Sequence, residues 1–289
     1  MQQPLRRITI YIILTVCFSM FFYVSAARHG LSAGSAIGTM WCPGLAAIVA
    51  SLLTGRSLRE IGWSPIPFRY VGVGWITPML YAWPAYILVW VTGFGAFPDS
   101  RRLAAVQTTL HLASVPTSVA LVVIYAIVAT AITLLGFSGA LGEEIGWRGF
   151  LVPELSRVTS FTKVSLISGT IWALWHFPLI IFANYHSTTP AWYALTCFFL
   201  MVVGISFAFA WVRLKSGSVW AACIMHASHN AIIQTYLTPL TTNTGKTAWF
   251  VDEFGAAMLP FILIVAFYFW RRRSEVEGQP SLVRRTTAA

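Results

Sequence analysis

Charge is scarce in this 289-residue chain: it holds only 9 Asp and Glu, and charged residues make up 10% against 57% hydrophobic. With a mean hydropathy of +0.71, a water-soluble domain of this length would lack the polar side chains to cover its surface, so lipid must solvate much of the chain. Cysteine is equally sparse. Cys17, Cys42, Cys197 and Cys223 lie in apolar segments and never form a C-x-x-C pair, which excludes a disulfide framework and a cysteine zinc site and leaves them as small buried apolar side chains. No H-E-x-x-H signature, internal repeat or low-complexity tract is present. The formal charge of +10 is scattered between apolar segments and forms no basic stripe or domain, which argues against a nucleic-acid partner.

What the chain does have is long apolar runs. A hydrocarbon core of about 30 Å takes around twenty residues of helix, and runs of that kind occur near 8–27, 35–54, 70–92, 117–142, 164–183, 192–212, 219–236 and 253–270. The first is too long for a signal-peptide core and reads as a retained helix. These spans predict an all-α, polytopic membrane protein with about eight transmembrane helices. Eight spans place both termini on one side. If that side is the cytoplasm, fifteen of the 19 basic residues lie inside, among them Arg6, Arg7, Arg56, Arg59, Arg213, Arg271, Arg284 and Arg285, and only Arg28, Arg101, Arg102 and Lys246 lie outside. That asymmetry is a strong positive-inside signal. It points to an integral protein of the plasma membrane with both termini cytoplasmic. We expect one transmembrane domain over 1–273, with the chemistry in 117–236, and a short flexible cytoplasmic tail over 274–289.

Polar residues inside apolar sequence are the candidates for chemistry. Glu143 and Glu144 stand side by side, and Arg148 follows four residues after the second. On a helix Glu144 and Arg148 share a face and pair, while Glu143 is turned about 100° away. The bland alternative is that the helix ends here and water solvates both acids. His176 follows a charge-free run, about 18 Å from the cytoplasmic end of its span at 1.5 Å per residue. His226 and Asn230 lie four apart on one helical face at a similar depth; each alone could be a hydrogen bond between helices. For the carboxylates to reach that level, the helix from 117 must run on through Phe150, Leu151 and Val152 to stop at Pro153, with 103–125 holding an outer segment or a tilted beginning bent near Pro116. A carboxylate, an imidazole, and a second histidine with an amide suit water-mediated attack on a carbonyl. Glu143 would be the general base, His176 would hold or share the water, and His226 with Asn230 would donate to the oxyanion. An alternative chemistry uses Glu143, His176 and His226 as zinc ligands.

In order and spacing these residues resemble the intramembrane CAAX protease and bacteriocin-processing family (CPBP, also called Abi), which includes the Ras-converting CAAX endopeptidases. The family carries Glu-Glu-x-x-x-Arg, Phe-x-x-x-His, and His-x-x-x-Asn or Asp on successive transmembrane helices. The matching residues are Glu143, Glu144 and Arg148, then His176, then His226 and Asn230. The position four before His176 is Trp172 in place of Phe, which bears on pocket shape. His186 and His229 match no family position; His186 reads as an outer-loop residue and His229 as a neighbour that bonds locally. The resemblance covers roughly 117–236. It implies a helical core around a polar cavity open toward the cytoplasmic side, and a peptidase described as a metalloprotease, for which a metal-free glutamate mechanism is also argued. The partners it implies are the bilayer and a membrane-anchored peptide or lipidated, CAAX-type protein. The competing readings are a non-catalytic immunity or scaffold protein, and a proton-linked transporter. The second would call for two related halves with broken helices, and no such symmetry is visible.

Overall fold

The computed structural model describes residues 2–277. Helix α1 (Gln2–His29) ends at Gly30, whose φ of 79° reverses the chain. Helix α2 (Ala33–Leu53) starts at once on a capping box in which Ser32 and Ser35 satisfy each other's backbone N–H. A 3₁₀ turn (Leu58–Ile61) and α3 (Phe68–Val91) follow. Beyond α3 lie a two-residue strand β1 (Gly95–Ala96), paired antiparallel with β2 (Thr242–Asn243), and the short helix α4 (Ser100–Thr109), capped by Asp99. Helix α5 (Thr117–Ser156) comes next, then α6 (Phe161–Phe182) and α7 (Ala191–Ser216). Helix α8 (Trp220–Asn230) continues in a wider π form over Ala231–Leu237, and α9 (Leu259–Arg271) closes the bundle. Five helices, α1, α2, α5, α6 and α7, are long and apolar enough to cross a membrane, and the protein is a polytopic all-α membrane protein. The other three expected spans are occupied by α3, α8 and α9.

Two boundaries differ from the hydropathy reading in instructive ways. The expected span at 253–270 begins only at Leu259, because Pro260 has no N–H and fits just the first turn of a helix, and Glu253 is turned into the bundle. The span that hydropathy ended near 142 instead continues to Ser156, 40 residues in all, which at 1.5 Å per residue is about 60 Å and must run obliquely or beyond the bilayer. It contains two π segments, Val128–Ile132 and Ile145–Leu151. The second begins directly after Glu144 and carries the helix up to Pro153. The proline offers no N–H to the carbonyl four residues back, and that carbonyl, on Gly149, accepts instead from Arg56 Nη2 at 3.1 Å. The neighbouring Arg148 carbonyl accepts from Arg213 Nε at 2.8 Å. Two arginines thus saturate backbone that the irregular helix leaves open, as low-dielectric surroundings require. The outer segment expected ahead of α5 is α4, a separate helix.

Just after Arg273, where the tail was expected to start, Arg273–Glu275 forms a 3₁₀ turn and Glu277 accepts from the Phe161 backbone N–H at 2.9 Å. The rest of the expected flexible tail, 278–289, with Arg284 and Arg285, lies outside the described residues.

Candidate active site

Gly142 and Gly146 bracket the carboxylate pair and set its position. A Cβ on Gly146 would meet the Pro43 carbonyl at 2.6 Å, and one on Gly142 would meet the Met40 carbonyl oxygen at 2.8 Å. The two glycines, four residues apart, let α5 lie backbone to backbone on α2. Glu143 and Glu144 are carried on that seam and are both buried.

The two glutamates have separate partners. Glu144 Oε1 accepts from Arg148 Nη1 at 2.8 Å and from His226 Nδ1 at 2.9 Å. The Arg148 guanidinium is in turn held between the rings of Trp172 and Phe209, 4.1 Å from each centroid. Glu143 Oε2 accepts from two indoles, Trp172 Nε1 at 2.8 Å and Trp147 Nε1 at 3.2 Å. Its other oxygen remains for a ligand. His176 Nδ1 lies 3.0 Å from the Trp172 carbonyl; a carbonyl only accepts, so Nδ1 carries the proton and Nε2 presents a lone pair. His226 is oriented in the same way by Glu144.

Glu143, His176, His226 and Asn230 all line one cavity of about 210 Å³, several times the roughly 30 Å³ that one water occupies in the liquid. The four residues read from sequence as the reacting group are therefore brought together from α5, α6 and α8. Glu144 and Arg148 stand immediately behind them, and Trp172 lines the cavity beside them. His186 does not join them; it bonds the Ser187 carbonyl in the α6–α7 loop.

A second polar group on the same cavity was not legible as such. His229 Nδ1 pairs with the Tyr81 hydroxyl, its Nε2 donates to Glu253 Oε1 at 2.8 Å, and Gln234 Nε2 donates to the same oxygen at 3.0 Å. The only signal for it was an acidic residue at 253 inside an otherwise apolar stretch. Trp147 was missed as well, although its i+4 spacing from Glu143 could have suggested the bond.

Among the described residues no three His, Cys, Asp or Glu side chains converge as a metal-binding group. Glu143, His176 and His226, the expected zinc set, each have one donor atom already engaged by protein. The other donor atom of each has no protein partner among the described residues, and no step below is routed through a metal.

Fold and site together define a polytopic helical membrane protein with a carboxylate, two histidines and an amide gathered in its interior. Residues 116–232 match the family described as Type II CAAX prenyl endopeptidase Rce1-like. Over this segment the chain is similar to CAAX proteases, the CPBP group that its motifs resemble. A curated relative, CAAX prenyl protease 2 of Methanococcus maripaludis, is 37% identical over 89 residues, a stretch that covers 29% of this chain and 32% of the relative. The match thus spans about a third of the relative's length.

Proposed function

We propose that this protein is an intramembrane endopeptidase that hydrolyses a peptide bond of a membrane-tethered or prenylated, CAAX-type peptide, working in the plasma membrane with both termini cytoplasmic. The observation that carries this reading is the convergence of Glu143, His176, His226 and Asn230 on one cavity.

The chemistry follows from the tethering. With Oε2 fixed by two indoles, the other Glu143 oxygen takes a proton from water as that water attacks the scissile carbonyl carbon. His176 Nε2 accepts the water's second hydrogen bond and fixes its direction of attack. The carbonyl oxygen becomes an oxyanion, toward which Asn230 donates from its amide. His226 donates from Nε2 when both ring nitrogens carry protons, and Glu144 balances that charge. Glu143 then returns its proton to the departing amine, the C–N bond breaks, and acid and amine leave with all protons accounted for.

The test compares membrane peptides from cells that make wild type, Glu143→Ala or His176→Ala. Loss of the general base should lower cleavage by about 10²- to 10⁴-fold, and the same peptide should accumulate uncut in both variants. Unchanged cleavage in both variants would falsify the peptidase reading and leave an immunity or scaffold role. Metal analysis of the purified protein, with and without His226→Ala, separates the zinc version: a metal that binds in wild type and is lost in the variant would restore it.

A further inference from the structure

We infer, on the peptidase chemistry above, that Glu253 is a second active-site carboxylate: its free oxygen binds the positively charged amine end of the peptide fragment that departs.

Helix α8 changes its winding to make this site. Up to Asn230 it is an α-helix, so His226 and Asn230, four apart, share one face. His229 and Gln234 are five apart and on an α-helix would point about 140° away from each other. The π turn Ala231–Leu237 bonds residues five apart, which swings the two to one side. Both then donate to the same oxygen, Glu253 Oε1, at 2.8 and 3.0 Å. Glu253 is delivered to them by the α8–α9 connection. Asp252 before it has a φ of 68°, a left-handed conformation that aspartate tolerates better than most side chains, and its N–H donates to the Tyr86 hydroxyl at 3.0 Å. Phe254 after it stacks on Phe198, with 5.5 Å between centroids. With both neighbours pinned, Glu253 is held toward the cavity that it lines.

The result repeats the treatment of Glu143. Each carboxylate is buried, Glu143 at 2% and Glu253 at 5% exposure, and each lines the same cavity. Each has one oxygen clasped by two N–H donors. The second oxygen of Glu253 has no protein partner among the described residues and stays open to the cavity.

The charge balance says what that oxygen takes. Glu144 is paired with Arg148, but no lysine or arginine lines the cavity among the described residues, so Glu143 and Glu253 stand in it without a permanent cation. A desolvated carboxylate is stabilised most by a charged N–H donor. Peptide hydrolysis makes one. As the C–N bond breaks, the nitrogen takes the water proton held by Glu143, and it takes a second proton from the new carboxylic acid; the products are a carboxylate and an ammonium. The scissile N–H is neutral, so Glu253 gains its ion pair only as the nitrogen acquires charge. Such an interaction favours the late transition state over bound substrate.

Isothermal titration calorimetry on the full-length protein in detergent tests this, with trileucine amide as the probe, either with its free amino terminus or N-acetylated. Wild type should bind the free amine about 10-fold or more tighter than the acetylated form near pH 7. It should lose that preference near pH 10, where the amine is neutral. Glu253→Gln should bind both forms alike, with the acetylated form bound as in wild type, a sign that the cavity is intact. Glu143→Ala should keep the preference. Equal affinities in wild type near pH 7 overturn the inference, as does a preference that outlasts neutralisation of the amine or survives in Glu253→Gln. Loss of the preference in Glu143→Ala overturns it too, since the other carboxylate would then be the binder. Calorimetry does not depend on turnover, so failure of the peptidase reading shows separately, as unchanged cleavage in Glu143→Ala.

Discussion

Glu143 and Glu144 are adjacent in sequence and differ in what their oxygens do. Glu144 is consumed by structure: Arg148 and His226 share one of its oxygens. Glu143 has two neutral indole donors on one oxygen and the other to spare, the arrangement a base needs to be both oriented and reactive. Trp172 is the positioning residue with most to test, since its ring stacks on Arg148 while its N–H holds Glu143. In Trp172→Phe the ring survives and one of the two donors is lost. A hydrogen bond to a charged group contributes about 1.5–3 kcal/mol, so kcat should fall about 10- to 100-fold with KM nearly unchanged, because the aromatic ring that lines the cavity is kept. Steady-state kinetics on a cleaved peptide read this directly. A rise in KM with kcat intact would mean that Trp172 binds substrate and does not orient the base.

At the level of elements, the α2–α5 seam is what holds the base at its depth. Gly146→Ala puts a methyl against the Pro43 carbonyl, a backbone atom that cannot step aside, whereas a Cβ on Gly136 of the same helix meets nothing within 4 Å. Overpacking of this kind costs about 1–3 kcal/mol, while Gly→Ala at an open helical site gains up to about 1 kcal/mol. We therefore expect Gly146→Ala to lower the unfolding midpoint in detergent and to impair cleavage, and Gly136→Ala to do neither. Equal behaviour of the two variants would show that the seam is slack. Most helices of the bundle could be read from apolar runs because lipid demands them, and the true length of α5 could be read because two acids had to reach the depth of two histidines. The wide turns of α5, the 3₁₀ turn Leu58–Ile61 and the inward Glu253 could not. Each depends on a partner distant in sequence, Arg213 for the 3₁₀ turn and His229 for Glu253, and hydropathy averages such residues into the nearest span or loop.

Across the molecule, polar groups fall into two layers: the cavity with its histidines and carboxylates, and a charged layer nearer the chain's N-terminal end and the end of α5. Glu154, fully buried near the end of α5, sits 3.0 Å from Arg56 Nε and 3.7 Å from Arg7 Nη1 and Arg157 Nε, so α1, the α2–α3 connection and α5 meet on one carboxylate. Burial pulls the Arg56 guanidinium below its ordinary range, and Glu154 opposes that shift. Removing one member of such a group leaves the others desolvated and unbalanced, which costs about 3–5 kcal/mol. Glu154→Gln should accordingly be strongly destabilised. The double variant Arg56→Met with Glu154→Gln should recover a substantial part of the loss, because the buried charges leave together while Arg157 keeps its pair with Glu60. Thermal unfolding of wild type, both single variants and the double variant in one detergent gives the coupling. If the single-variant losses simply add, the layer is wet and its charges are independent. A dry layer, in which the charges balance only one another, requires the coupling to be large.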